Sequence, residues 1–161
     1  FDLTVLGAPG LPPLEDEDND NIINMLEVVF GTDPLAATSG AFALPVVSQV
    51  AVPAAVPIFP PTNHLAITFR RMKGGTMDFG TMAYTWVSPS GDSYLYEVES
   101  SPHIDTWTSA GDQPGQLFED SVSDAPDDPD NVELSTYRVL LPVGSPDTNF
   151  LRLKVTLNPG G

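Results

Sequence analysis

Proline and glycine cut this chain into pieces too short for long helices. The 161 residues include 17 prolines and 13 glycines, set between short apolar runs. Proline cannot donate to a helix or sheet ladder, and glycine weakens the interior of either. Many short strands joined by turns satisfy such punctuation best. From His64 onward the pattern predicts strands at Leu65–Arg71, Met82–Ser88, Tyr94–Ser100, Gln116–Val122, Val132–Pro142 and Phe150–Leu157. Several alternate cleanly: Leu151, Leu153, Val155 and Leu157 take one side, Arg152, Lys154 and Thr156 the other. Phe42 to Val52 supplies a further strand. Turns stand at Lys73-Gly74-Gly75, Pro89-Ser90-Gly91-Asp92, Ala110-Gly111-Asp112 and Gly144-Ser145-Pro146-Asp147. The expected fold is mainly β, an antiparallel immunoglobulin- or fibronectin-like sandwich.

One segment breaks the β pattern. Ile22, Ile23, Leu26, Val29 and Phe30 recur at helical spacing, Gly31 stands where a helix ends, and Pro34 blocks continuation. The predicted helix has only about two turns, too few to be stable alone. It needs a fixed start and a packed apolar stripe. Three parts follow: an N-terminal arm with a short strand at 1–14, an acidic loop and helix at 15–35, and the sandwich at 36–161. Within the arm, Phe1 to Leu6 alternates like a strand, and Pro9, Pro12 and Pro13 stiffen the tether behind it.

The acidic loop carries the chemistry. From Asp16 to Glu27, acidic oxygens stand at positions one, three and five: Asp16, Asp18 and Asp20. Asn24 is ninth, Glu27 twelfth, and the hydrophobic Ile23 eighth. This is the ligand spacing of an EF-hand loop, in which a hard cation collects six to eight oxygens. Calcium is the expected cofactor, held by Asp16, Asp18, Asp20, the Ile22 carbonyl, Asn24 (directly or through water) and Glu27. The sixth position is usually glycine, because the backbone there turns with positive φ. Asn21 occupies it, and asparagine is the residue that best tolerates that conformation after glycine. No helix enters the loop, since Pro12 and Pro13 lie just upstream. A lone loop opens no groove, so it locks a junction rather than reporting a signal.

With Gly31-Thr32-Asp33-Pro34 after it, the segment resembles the calcium motifs of dockerins and of bacterial thrombospondin type 3-like repeats. The resemblance maps the ligands onto Asp16, Asp18, Asp20, Asn24 and Glu27. A dockerin has two such repeats, and this chain has one. The runs Leu65 to Arg71, Tyr96 to Ser101 with Thr106-Trp107-Thr108, and Phe150 to Val155 are similar to C-terminal sandwich modules of large secreted or surface proteins of bacteria. That resemblance implies extracellular or cell-surface placement and no catalysis.

Charge and composition exclude much else. Twenty-two acidic residues face 6 basic ones, a formal charge of −16. Nucleic-acid phosphates and anionic membrane surfaces would be repelled. No apolar run is long enough for a membrane helix. The absence of cysteine removes disulfides and zinc–thiolate sites, leaving calcium as a natural staple for an exported domain. The chain opens at Phe1 without a signal-peptide pattern, as expected of a mature or excised piece of something longer. His64 and His103 lack the partners a zinc site needs. No nucleophile elbow surrounds any serine.

Three further groups have bland readings beside sharp ones. Glu97 and Glu99 share a strand face and are expected in solvent rather than in a glycosidase pair. The stretch Asp124 to Asp130 reads as a solvated hairpin tip, or as a second calcium site. Trp86, Trp107, Tyr84, Tyr94 and Tyr96 read as core packing, with Trp107 a buried plug, or as a sugar-stacking face. The leading expectation is a non-enzymatic, calcium-stabilised structural or surface-assembly module, with Phe1–Leu6 donated as a strand to neighbouring copies to build a filament. The alternative is a carbohydrate-binding accessory module with a glycan partner.

Overall fold

The computed structural model describes residues 14–37, 44–53, 62–144 and 150–158. One helix, α1 (Asn24–Phe30), precedes nine strands. These are β1 (Val46–Val52), β2 (Thr62–Met72), β3 (Thr76–Asp78), β4 (Ala83–Val87), β5 (Ser93–Ser101), β6 (Thr108–Ser109), β7 (Leu117–Asp124), β8 (Val132–Pro142) and β9 (Phe150–Asn158). All pairings are antiparallel. The strands form two sheets. The first runs β1-β2-β8-β7; in the second, β5 is central, paired with β9 along its length on one edge and with β4, then β6, on the other. Together they make a β-sandwich.

The six strands expected beyond His64 all form. The two unforeseen ones, β3 and β6, have only three and two residues, too few to show any period. Of the run Phe42 to Val52, Val46–Val52 is strand, while Phe42 and Ala43 lie outside the described residues. So does the expected arm strand Phe1–Leu6.

The core lies between the sheets. Ile67 and Phe69 of β2 and Tyr137 of β8 pack against Tyr84, Tyr94, Tyr96 and Val98 of the second sheet. The Phe69 ring bridges the layers, its centroid 6.4 Å from Tyr96 and 5.9 Å from Tyr137. Tyr84, Trp86, Tyr94 and Tyr96 are buried, so they form no exposed stacking face. Trp107 departs from the expected plug: it is half-buried, and the Arg152 guanidinium covers its ring at 4.1 Å. Glu99 also departs from expectation. It is only 8 % exposed, because Arg152, its cross-strand neighbour, closes over it with an ion pair of 2.5 Å. Glu97 pairs with Lys154 at 2.9 Å on the same outer face.

The helix shares this core. Val28, Val29 and Phe30 are buried within the same cluster as the strands. Val28 was absent from the expected stripe, while Ile23 and Leu26 are only half-buried. The helix meets the sandwich at the end where β2 finishes and β8 begins; a Cβ on Gly31 would lie 2.4 Å from Val132 Cγ2. No helix among the described residues is long and apolar enough to cross a membrane.

Candidate metal centre

A helix leaves its last four carbonyls without internal donors. In α1 each finds one from outside. Thr32 N donates to Glu27 O at 2.8 Å and Gly31 N to Val28 O at 3.2 Å, with Gly31 left-handed at φ 69°. This is the Schellman ending. Tyr96 Oη donates to Val29 O at 2.7 Å, and Arg70 Nε to Phe30 O at 2.9 Å. The last two donors come from strands of different sheets, so the helix is fixed to both.

At the other end, Asn24 N donates to Glu15 O at 2.8 Å and closes the acidic loop into a ring. Asn21 has φ 72°, the left-handed turn expected at that position. Asn19, at φ 62°, makes a second one.

Short aspartate side chains hold their own backbone in such turns. Asp16 accepts from Asp20 N at 3.2 Å and from Asn21 N at 2.9 Å. Asp18 Oδ1 accepts from Asp20 N at 3.1 Å, and Asp20 Oδ1 from Ile22 N at 2.8 Å. The second oxygens of two of these carboxylates turn inward. Asp18 Oδ2 and Asp20 Oδ2 are buried with no hydrogen-bond partner among the described residues. Ligand oxygens of Asp16, Asp18 and Asp20 all lie within 4.8 Å of one another, the only such cluster of potential metal-binding side chains among the described residues.

That arrangement is costly without a counter-charge. Two unit charges this far apart repel by about 1 to 3 kcal/mol at effective dielectric constants between water and a protein surface. Burial raises the Asp18 carboxyl above its ordinary value, and the charges of Asp20 and Asp16 push the same way. The donor set is all oxygen, which suits a hard cation such as calcium.

The remaining expected ligands are placed less uniformly. Ile22 is buried, and its backbone N–H donates to Asp20 Oδ1 at 2.8 Å. Asn24 is fully buried, and its Oδ1 accepts from Glu17 N at 3.4 Å. Glu27 is fully buried in the first turn of α1, with Thr32 Oγ1 3.5 Å from its Oε1. It stands outside the three-aspartate cluster.

The acidic stretch 124–130 is occupied by protein donors. Lys73 Nζ meets Asp124 at 2.5 Å and also the Pro129 carbonyl. Arg70 clasps Asp127 with two bonds of 2.6 and 2.9 Å, and Asn131 meets Asp128 at 2.9 Å. The tip is solvated as expected, with Asp124, Asp127 and Asp130 exposed, and Arg70 also tethers it to β2. Arg70 is the residue that sequence reasoning passed over. Its guanidinium, 5 % exposed, joins the helix end to this loop. Arg71 beside it is buried between Glu119 and Glu133, at 2.8 and 2.7 Å, with its guanidinium 3.8 Å from the Tyr84 ring centroid. His64 is bound to Thr62 and to the Val139 carbonyl, and His103 is exposed.

No protein-family model, curated protein or solved structure matches the chain.

Proposed function

We propose that this is a calcium-stabilised structural module of an extracellular or cell-surface protein, without catalytic activity, in which one EF-hand-like loop fixes the start of α1. Asp16, Asp18 and Asp20 take the ion; the Ile22 carbonyl, Asn24 and Glu27 complete its shell. The observation that carries this reading is the pair of buried, partnerless oxygens, Asp18 Oδ2 and Asp20 Oδ2, inside a cluster of three carboxylates. A cation supplies what the protein leaves out. The resemblance of the loop to dockerin and thrombospondin type 3-like repeats supports the same ion and the same placement. The assembly role rests on the strand-rich fold and its edges.

Thermal melting with excess calcium and with chelator tests the ion. A ligand at a hundredfold its dissociation constant stabilises by about 2.7 kcal/mol when it binds only the native state. For a chain of this size that is a rise of roughly 5 to 10 °C. Asp18→Ala and Asp20→Ala are each expected to remove the rise while leaving a cooperative melt. An identical melt with and without calcium refutes the site.

A further inference from the structure

Strand edges are ready-made templates for pairing with another chain, and proteins guard them with charge, bulges or shortness. Among the described residues, every edge strand but β1 is guarded. β3 has three residues and β6 two. β9 carries Arg152 and Lys154. β7 carries Glu119, Asp120 and Asp124, and its register shifts between Glu119 and Ser121.

The edge at β1 has no such guard. Its sequence, Val46-Val47-Ser48-Gln49-Val50-Ala51-Val52, holds no charge and no proline. Its register on β2 is unbroken from Val46 opposite Thr68 to Val52 opposite Thr62. Val46 is 60 % exposed and Val47 48 %. Consecutive strand residues face opposite ways, so neither face is covered at that end. Among the described residues, no strand pairs the outer edge of β1.

Charge and sequence symmetry indicate what covers it. The chain carries −16, yet no Asp, Glu, Lys or Arg occurs between Asp33 and Arg70. A second copy meets acids at β7, whereas at β1 it meets no charged side chain of that strand. On both sides of Gln49 the strand holds only small, uncharged residues, and its two ends are both valine. Laid antiparallel on itself, it sets Val46 opposite Val52, Val47 opposite Ala51 and Ser48 opposite Val50. Each pair shares a sheet face, and the two Gln49 side chains meet on the axis. The acids of β7 then lie at the far ends of the combined sheet.

We propose that β1 pairs antiparallel with β1 of a second copy, with the twofold axis at Gln49, joining the two β1-β2-β8-β7 sheets into one of eight strands. Such an isologous contact closes as a dimer. This deepens the assembly reading above by naming its edge and partner, and it does not depend on the loop binding calcium.

Analytical ultracentrifugation of the whole chain at rising micromolar concentration tests it, in calcium and again in chelator. The wild type is expected to dimerise in both. Gln49→Lys and Gln49→Glu each set like charges opposite one another on the axis, and each is expected to raise the dissociation constant by about tenfold. An equimolar mixture of the two is expected to restore a heterodimer. Gln49 is exposed, and an unchanged circular dichroism spectrum with a cooperative melt shows that each variant folds. A monomeric wild type, a dimer that both variants keep, or a mixture no tighter than its components overturns the proposal. So does association that is lost on deleting residues 1–13 yet indifferent to Gln49, which would mark a donated arm instead.

Discussion

Gly31 and Asn21 were both legible as left-handed positions, because only a few residue types fit there and the helix pattern locates them. What the sequence does not show is what surrounds them. Gly31 has φ 69°, and Val132 occupies the space a Cβ would need. Gly31→Ala therefore combines backbone strain of about 1 to 2 kcal/mol with overpacking of about 1 to 3. The expected loss is roughly 2 to 5 kcal/mol by urea denaturation, equal in calcium and in chelator, since the strain lies at the end of α1 away from the loop. Two buried tyrosines give a paired test. Tyr94 Oη is buried with no hydrogen-bond partner, and burial, then the Asp92 charge, pushes its hydroxyl up to about 12. Tyr96 Oη instead donates to the Val29 carbonyl. Tyr94→Phe is expected to leave stability unchanged or raise it by up to about 1 kcal/mol, because a partnerless polar atom disappears. Tyr96→Phe is expected to cost about 1 to 3 kcal/mol, because it strands a buried carbonyl. Equal losses in both would show that the hydroxyls do not differ as the geometry says.

At the scale of elements, the strands with clean alternation were readable, and so was the helix. Failures fall where a distant side chain changes what a residue meets. Glu99 alternates like a solvent position, but Arg152, some fifty residues away, covers it. Asp127 sits in a proline-broken acidic loop, yet Arg70 of β2 holds it. No local pattern encodes such pairings. In the candidate metal site the three aspartates were legible from spacing alone, whereas the Glu15 carbonyl that closes the ring and the Thr32 hydroxyl beside Glu27 leave no signature. The Arg70–Asp127 clasp has a pH consequence. The guanidinium hydrogen bonds hold the Asp127 carboxyl below its ordinary value. As pH falls, the unfolded carboxylate takes a proton before the folded one does. The unfolded state then binds more protons, so this contribution to stability declines through the ordinary carboxylate range and is gone once the folded group is protonated. Asp127 is mostly exposed, so solvent screening keeps the effect modest. Asp127→Asn is expected to flatten the acid limb of melting temperature against pH, with little change near neutrality beyond the lost ion pair. An acid limb of unchanged slope argues against the clasp.

For the whole molecule, the proposed calcium site raises the question of how far an unfilled acidic loop would disturb the fold. A seven-residue helix has no stability of its own, which suggests that α1 detaches when the loop empties. The magnitudes favour a different outcome. Val28, Val29 and Phe30 are at most 2 % exposed, and burying three such side chains is worth roughly 5 to 9 kcal/mol. A whole domain is stable by about 5 to 15 kcal/mol. Pulling the helix out of the core therefore costs nearly as much as unfolding the sandwich, and the donors from Tyr96 and Arg70 raise that cost. Repulsion among Asp16, Asp18 and Asp20 is relieved more cheaply by opening the loop alone. Its anchors are only the backbone bond from Asn24 N to Glu15 O and the aspartate turns. Hydrogen exchange followed by mass spectrometry in chelator is expected to show rapid exchange through residues 15–23. The amides of Val28, Val29 and Phe30 should stay as slow as those of β5 and β9, whose pairing runs from Ser93 to Ser101. Calcium should slow the loop amides, and should slow the helix and strand amides together, by the same factor by which it raises global stability. Helix amides that exchange with the loop in chelator, while β5 and β9 remain protected, would show that the ion rather than the core holds α1 in place.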